Sequence, residues 1–297
     1  MFVFFVMRLL PGDPLKLFLG QGYGIYTQEQ LEALRALYNL DKPLITQYVI
    51  WLGDLLHGDL GISIVTQRPV TEMIAHRLPI TINLAFLAFI VSGIFGIAFG
   101  TICALNRGKW ADTLFSVVAN LGITLPIFWV AILLIYGFSV QLDLLPTYGY
   151  TSPFEDFWLH IKKLILPVFC MSLFSIGSLT RQTRSSMLEV IQQDYIRTAW
   201  AKGLRERTVI VRHMIKNALI PLVTQMGLQA RFTLGGAVLI EVVFAIPGLG
   251  RMIATGAGAL DYQMVQGAVL VTAVLVVVVN IIVDITYAWI DPRIRYD

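Results

Sequence analysis

Apolar residues in this chain gather into long runs, separated by stretches where they return only at helical spacing. The runs Ile80–Leu105, Leu114–Val140, Leu164–Leu179, Leu219–Val243 and Met264–Ile290 carry few charges. A bilayer core about 30 Å thick needs roughly 20 helical residues, so five complete membrane-spanning helices are expected. Leu164–Leu179 is short for that task, and polar residues interrupt Leu219–Val243. The apolar start Met1–Val6 ends just before Arg8, too short to cross and without the charged start and cleavage site of a signal peptide. Residues 1–11 are therefore expected to be the tail of a truncated further span, which would make six.

Residues 12–79 alternate differently. Thr27 and Gln30 have capping-box spacing, and Leu31, Leu34, Leu37 and Tyr38 then share one helical face. A second amphipathic stretch, Ile45–His57, stops at Gly58, a helix-terminating glycine. The expectation is a small helical subdomain packed on the bundle formed by residues 80–297. Within that bundle, Ser92, Gly96 and Gly100 recur every four residues, the spacing that lets two helix backbones approach closely. Asn120, Thr124 and Pro126 interrupt the second run, and Pro221, Gln225 and Gln229 the fourth. Such residues are tolerated in a membrane where they face protein or water. Asn120, Gln225 and Gln229 either line a path or cross-link helices, and the pattern favours neither. Arg231 lies 12 residues into its run, about 18 Å along a helix. An ionisable group at that depth faces a cavity or a partner; lining a translocation path, snorkelling and pairing with a neighbouring subunit all remain open.

Composition agrees with lipid. Apolar residues are 57% and charged residues 14% of the chain, against about 45–50% and 25% in soluble proteins. Charge then orients it. Between Arg181 and Lys216 stand Arg181, Arg184, Arg197, Lys202, Arg205, Arg207, Arg212 and Lys216, opposed only by Glu189, Asp194 and Glu206, while the whole chain is +3. The positive-inside rule places loop 181–216 in the cytoplasm. Alternation puts Arg107 and Lys109, and the tail with Arg293 and Arg295, on the same side, and residues 12–79 and Gln141–Lys163 outside. Cys103 and Cys170 stand alone in apolar runs, and the four histidines are scattered. No metal site, cofactor or nucleic-acid partner is expected, and no phosphate-cradling G-x-x-x-x-G-K-[ST] loop is present. No catalytic motif stands out, so the chain is expected not to be an enzyme.

The basic loop holds one more pattern. Asp194–Leu204 reads as a short helix that Asp194 can cap, rich in alanine and ended by Gly203. It suits docking into another protein's groove, although charge alone would equally describe an ordinary cytoplasmic loop.

The order R-T-A-W-A-K-G-L, followed by N-A-L-I-P at Asn217–Pro221, resembles the EAA-type loop of ABC-importer permeases, in the version of the dipeptide, oligopeptide, nickel and glutathione systems. Further blocks carry the resemblance nearly end to end: LPGDP at Leu10–Pro14, GDLGIS at Gly58–Ser63, PGLGR at Pro247–Arg251, DYQMVQG at Asp261–Gly267 and DPRIRY at Asp291–Tyr296. The resemblance implies an all-α, polytopic bundle of the type I ABC importer permease kind in a bacterial inner membrane. It implies a coupling helix seated in an ATPase cleft, with Arg197 at the family's Glu place, Thr198 and Ala199 at its two Ala places and Gly203 at its Gly place. Trp200, Ala201 and Lys202 complete that stretch; Trp200 is either a docking anchor or a membrane-interface residue. The implied partners are a homologous second permease, two ATP-binding subunits, where the hydrolysis would occur, and an external solute-binding protein. An ion-coupled secondary transporter with no ATPase is the other class to keep in view.

Overall fold

A computed structural model describes residues 1–20 and 26–290, apart from the side chains of residues 220, 231, 234 and 287–290. The DPRIRY block, with Arg293 and Arg295, lies outside the described residues. In chain order the helices are α1 (Phe2–Leu9), α2 (Pro14–Leu19), α3 (Gln28–Leu37), α4 (Leu44–Leu56), α5 (Val70–Leu105), α6 (Trp110–Thr124), α7 (Ile127–Leu134), α8 (Phe157–Ile191), α9 (Asp194–Ala201), α10 (Glu206–Thr208), α11 (Lys216–Val243), α12 (Leu249–Gly258) and α13 (Tyr262–Ile290). π-helical turns at Ile135–Gln141 and Val209–Ile215 extend α7 and lead into α11. The chain forms two compact units. One holds Met1–Thr81 and Ile246–Leu275; the other holds Ile82–Ala245 and the chain from Val276 onward.

Among the described residues, α5, α8 and α13 are each long and apolar enough to cross a bilayer. The other two expected spans are broken. α6 and α7 meet at 109°, because Leu125 precedes Pro126 and is held extended (φ −74°, ψ 135°), a conformation that ends a helix. α11 bends by 53° between Pro221–Ala230 and Gly235–Val243. The short run Leu164–Leu179 turns out to be the middle of a 35-residue helix, and the run from Ile80 belongs to a helix that begins at Val70 and passes through Pro79.

In the unit containing the N-terminus, the Thr27–Gln30 capping box forms with both reciprocal bonds. α4 ends before Gly58, which takes φ +81° as a helix-terminating glycine does. The core joins Val70, Met73 and Ile74 of α5 to Leu249 and Met252 of α12 and to Met264 and Ala268 of α13. Asp261 organises it. One carboxylate oxygen caps α13 by accepting from the Met264 N–H (3.2 Å), and the other accepts from Ser63 Oγ (2.5 Å) and the Val65 N–H (3.2 Å). The buried Asp261 thus binds the GDLGIS block to the DYQMVQG block.

In the other unit α8 is the central helix, packed against α5, α6 and α11. The expected small-residue seam lies between α5 and α8: a Cβ on Gly96 would stand 2.5 Å from Leu179 Cβ, and one on Gly100 would stand 2.6 Å from the Thr180 carbonyl oxygen. A second seam joins α6 and α8, where a Cβ on Gly122 would lie 2.8 Å from the Leu173 carbonyl oxygen and one on Gly177 would strike that of Ala119.

Candidate functional site

The loop singled out by charge contains α9, and the residues around α9 decide its two faces. Ile196 and Ala199 are buried with Ala104 of α5, Met187 of α8, Val209 and Met214 of the π-helical turn and Ala218 of α11. At about 1.5–3 kcal/mol for a fully buried Ile, these contacts fasten α9 to the ends of three long helices. Tyr195, Arg197, Thr198, Trp200 and Ala201 are exposed, with Tyr195 43% and Trp200 44% accessible. Lys202 and Gly203 follow, also exposed.

Gly203 ends α9 as expected and does so through a complete C-terminal motif. With φ +69° it lets its own N–H donate to the Trp200 carbonyl (2.9 Å) and the Leu204 N–H donate to that of Ala199 (3.4 Å). The start differs from expectation. The N-cap is Gln193 rather than Asp194, which is the first helical residue, and no side chain caps the helix. Asp194 stands 3.6 Å from Arg197 Nη1 with both side chains solvated, a pair worth little in water. Its charge at the N-terminal turn suits the helix dipole instead.

One strong ionic contact lies nearby. Arg184 of α8 grips Asp112 of α6 bidentately, Nε to Oδ1 at 2.8 Å and Nη2 to Oδ2 at 2.9 Å. Oδ2 also accepts from the Gly108 N–H (3.0 Å), which closes the turn between α5 and α6. Asp112 is buried and the Arg184 side chain only a third exposed. The pair therefore ties α6 and the α5–α6 turn to the length of α8 that leads into α9. Asp112→Ala is expected to cost about 3 kcal/mol, the low end for a broken buried pair because Arg184 reaches solvent. The measurement is thermal unfolding of the purified protein, with Asp112→Leu/Arg184→Met recovering most of the loss.

Of the residues proposed from sequence to line a path, two come together. Gln225 Nε2 donates to Ser178 Oγ (3.1 Å) and Gln229 Oε1 accepts from Ser175 Oγ (3.0 Å), so both glutamines bond α11 to α8 in this conformation. Asn120 sits exposed on α6, where its carbonyl accepts from Thr124 Oγ1 (3.0 Å). The side chain of Arg231 lies outside the described residues. Ser175, the partner of Gln229, also lines a cavity of about 460 Å³ beside the α6–α7 bend, together with Gly122, Leu125, Cys170, Phe232 and Thr233 among others. Sequence reasoning passes over Cys170, Ser175 and Thr233. The signal that points there is Pro126, which breaks the span between Leu125 and Ile127, both of which line the cavity. The two cysteines are buried and unpaired, and no group of three potential metal ligands occurs among the described residues.

Comparison with known proteins places this chain in a family. Residues 96–296 fit the family described as binding-protein-dependent transport system inner membrane component, and residues 1–85 fit the one described as the N-terminal part of the binding-protein-dependent transport system membrane component. A Brucella abortus protein named for a peptide transport system permease is 45% identical over 99% of this chain and 93% of its own length. The dipeptide transport system permease protein of Alkalihalophilus pseudofirmus is 37% identical over the same shares. The fold resembles a chain of the inward-facing MetNI methionine ABC transporter, with TM-score 0.59 and 15% identity over 74% of this chain and 96% of that one. A chain of an amino acid ABC transporter crystallised with histidines gives TM-score 0.52, again at 15% identity. This chain belongs to the family of binding-protein-dependent transport system inner membrane components and is a multi-pass permease subunit of an ABC importer.

Proposed function

We propose that this permease carries peptide-type solutes, di- or oligopeptides, and that α9 is the helix through which an ATPase moves it. The cargo reading rests on relatives named for peptide and dipeptide transport. The coupling reading rests on one observation: α9 has one face fastened to the ends of α5, α8 and α11 and the other bare, with Tyr195, Arg197 and Trp200 exposed. A helix so mounted transmits a push at its exposed face to three long helices together.

In this reading the chain is the non-catalytic half of the machine. It pairs with a homologous permease, two ATP-hydrolysing subunits and an external solute-binding protein. Nucleotide binding biases a two-state equilibrium between outward- and inward-open bundles. Arg197, Thr198, Trp200, Ala201 and Lys202 contact the ATPase, while Ala199 and Gly203 set the position and end of the helix. Gln225, Gln229, Arg231 and Asn120 are the proposed path residues, and the α8–α11 bonds of the two glutamines are expected to break when the bundle opens.

Trp200→Ala tests the docking role. Buried aromatic anchors dominate interface energies, so peptide uptake is expected to fall about tenfold or more and ATPase activity to lose its dependence on the binding protein. Membrane insertion should be unchanged, because Trp200 lies outside the packed cluster beneath α9. Unchanged uptake in both Trp200→Ala and Trp200→Ala/Arg197→Ala would overturn it. The cargo reading is tested separately, by identifying the ligand of the cognate binding protein and measuring uptake of that labelled compound.

A further inference from the structure

α4 is too short to cross a membrane and too apolar on one side to lie in water. Its 13 residues extend about 20 Å at 1.5 Å per residue, against about 30 Å of hydrocarbon. Ile45, Val49, Leu52 and Leu56 recur at spacings that align them on one helical face, and they are 74%, 61%, 37% and 80% exposed. The other side of α4 is already occupied. Gln47 is buried and accepts from Arg8 Nε of α1 at 2.7 Å, while Tyr48 and Trp51 pack around the Phe4 ring at 5.2 and 5.7 Å. This knot fixes the rotation of α4, so the apolar stripe cannot turn inward. α1 presents a matching stripe, with Phe2, Val6 and Leu9 exposed at helical spacing.

We propose that α4 lies along the membrane surface, with Ile45, Val49, Leu52 and Leu56 in the boundary between headgroups and acyl chains. Three observations select lipid over a protein partner. Helix–helix faces in membranes carry small residues, as the Gly96–Gly100 seam of this chain does, and the α4 stripe has only large aliphatic ones. The stripe holds no charged or hydrogen-bonding side chain, whereas the exposed Thr46 and Asp54 sit away from it on the helix. Finally, the chain is an inner-membrane component, and its α1, bonded to α4, exposes the same kind of surface.

The test uses single-cysteine variants Val49→Cys, Leu52→Cys and Asp54→Cys of the full chain, in a background with Cys103→Ser and Cys170→Ser. Each is labelled with bimane and reconstituted, in the assembled transporter, into phosphatidylcholine vesicles containing brominated lipid. Bimane at positions 49 and 52 is expected to be quenched about twofold more than at position 54, and more by bromine near the headgroup end of the acyl chain than near its terminus. Equal quenching at all three positions would overturn the proposal, because the stripe would then meet lipid no more than the polar side of α4 does. Stronger quenching by the deep bromines would overturn the surface placement, and a cross-link from position 49 to the second permease would show a protein occupant instead.

Discussion

Ala199→Asp is expected to abolish uptake by unseating α9 rather than by spoiling its outer face. Ala199 is 5% exposed and lies among Ala104, Met187, Ile196, Val209, Met214 and Ala218, a cluster with no cationic group. An unpaired carboxylate there costs several kcal/mol. The apolar burial of Ile196 and Ala199 holds α9 with only about 2–4 kcal/mol. The cost of the buried charge exceeds that hold, and the cheaper escape is for α9 to leave the bundle while the long helices stay packed. Two measurements separate this from docking failure. Trypsin should cut the detached loop at Arg197, Lys202 or Arg205 much faster than in the native protein, and the Trp200→Ala variant, whose packing is intact, should show no such increase. If Ala199→Asp retained native protease resistance and uptake, α9 could not be seated through Ala199.

Gly100→Val is the second large effect. A Cβ at this position would meet the Thr180 carbonyl oxygen at 2.6 Å and the side chain of Thr183. Overpacking a core costs about 1–3 kcal/mol when side chains can shift. Here the obstacle includes backbone of α8, so about 3 kcal/mol or more is expected, with lowered thermal stability and poor recovery from the membrane. Gly236→Ala is the control. A Cβ there meets nothing within 4 Å, and replacing a helical glycine by alanine stabilises by up to about 1 kcal/mol. Its unfolding temperature should be equal to the native value or higher. Equal stability of Gly100→Val and Gly236→Ala would mean that α5 and α8 do not approach this closely.

Both experiments probe one mechanical linkage. α8 receives α5 at Gly96 and Gly100, α6 at Gly122, Gly177 and the Asp112–Arg184 pair, and α11 at Ser175 and Ser178. It then runs to Ile191, and only Gln192 and Gln193 separate it from α9, which begins at Asp194. Contacts this close, made by backbone approach and a bidentate ion pair, leave little slack between α8 and the helices packed against it.

Local chemistry explains what is legible in the sequence. The Thr27–Gln30 capping box, the ends of α4 at Gly58 and of α9 at Gly203, and the small-residue seam each depend on residues within one or two helical turns. Those features form as their spacing requires. Asp194 is the exception: its residue type suits a cap for α9, but the preceding Gln193 holds the extended conformation (φ −72°, ψ 143°) and takes the capping position. Which residue leaves the helix first depends on how α8 ends, and hydropathy carries no trace of that.

Hydrophobicity and charge by themselves determined that this chain is helical, membrane-embedded and basic on the face where α9 lies, because bilayer thickness and charge asymmetry act on each segment separately. The order of its motifs determined the family. Only the tertiary structure decided which side of α9 is buried, since Ile196 and Ala199 find partners that are far away in sequence, from Ala104 to Ala218. It decided too that Gln225 and Gln229 bond to α8 in this conformation, that Leu125–Pro126 divides a span instead of kinking it, and that Ile246–Leu275 packs with the N-terminal unit around Asp261. The physical reason is the same in each case. A polar or small residue in an apolar run is compatible with several neighbours, and the neighbour is chosen by close packing between helices distant in the chain.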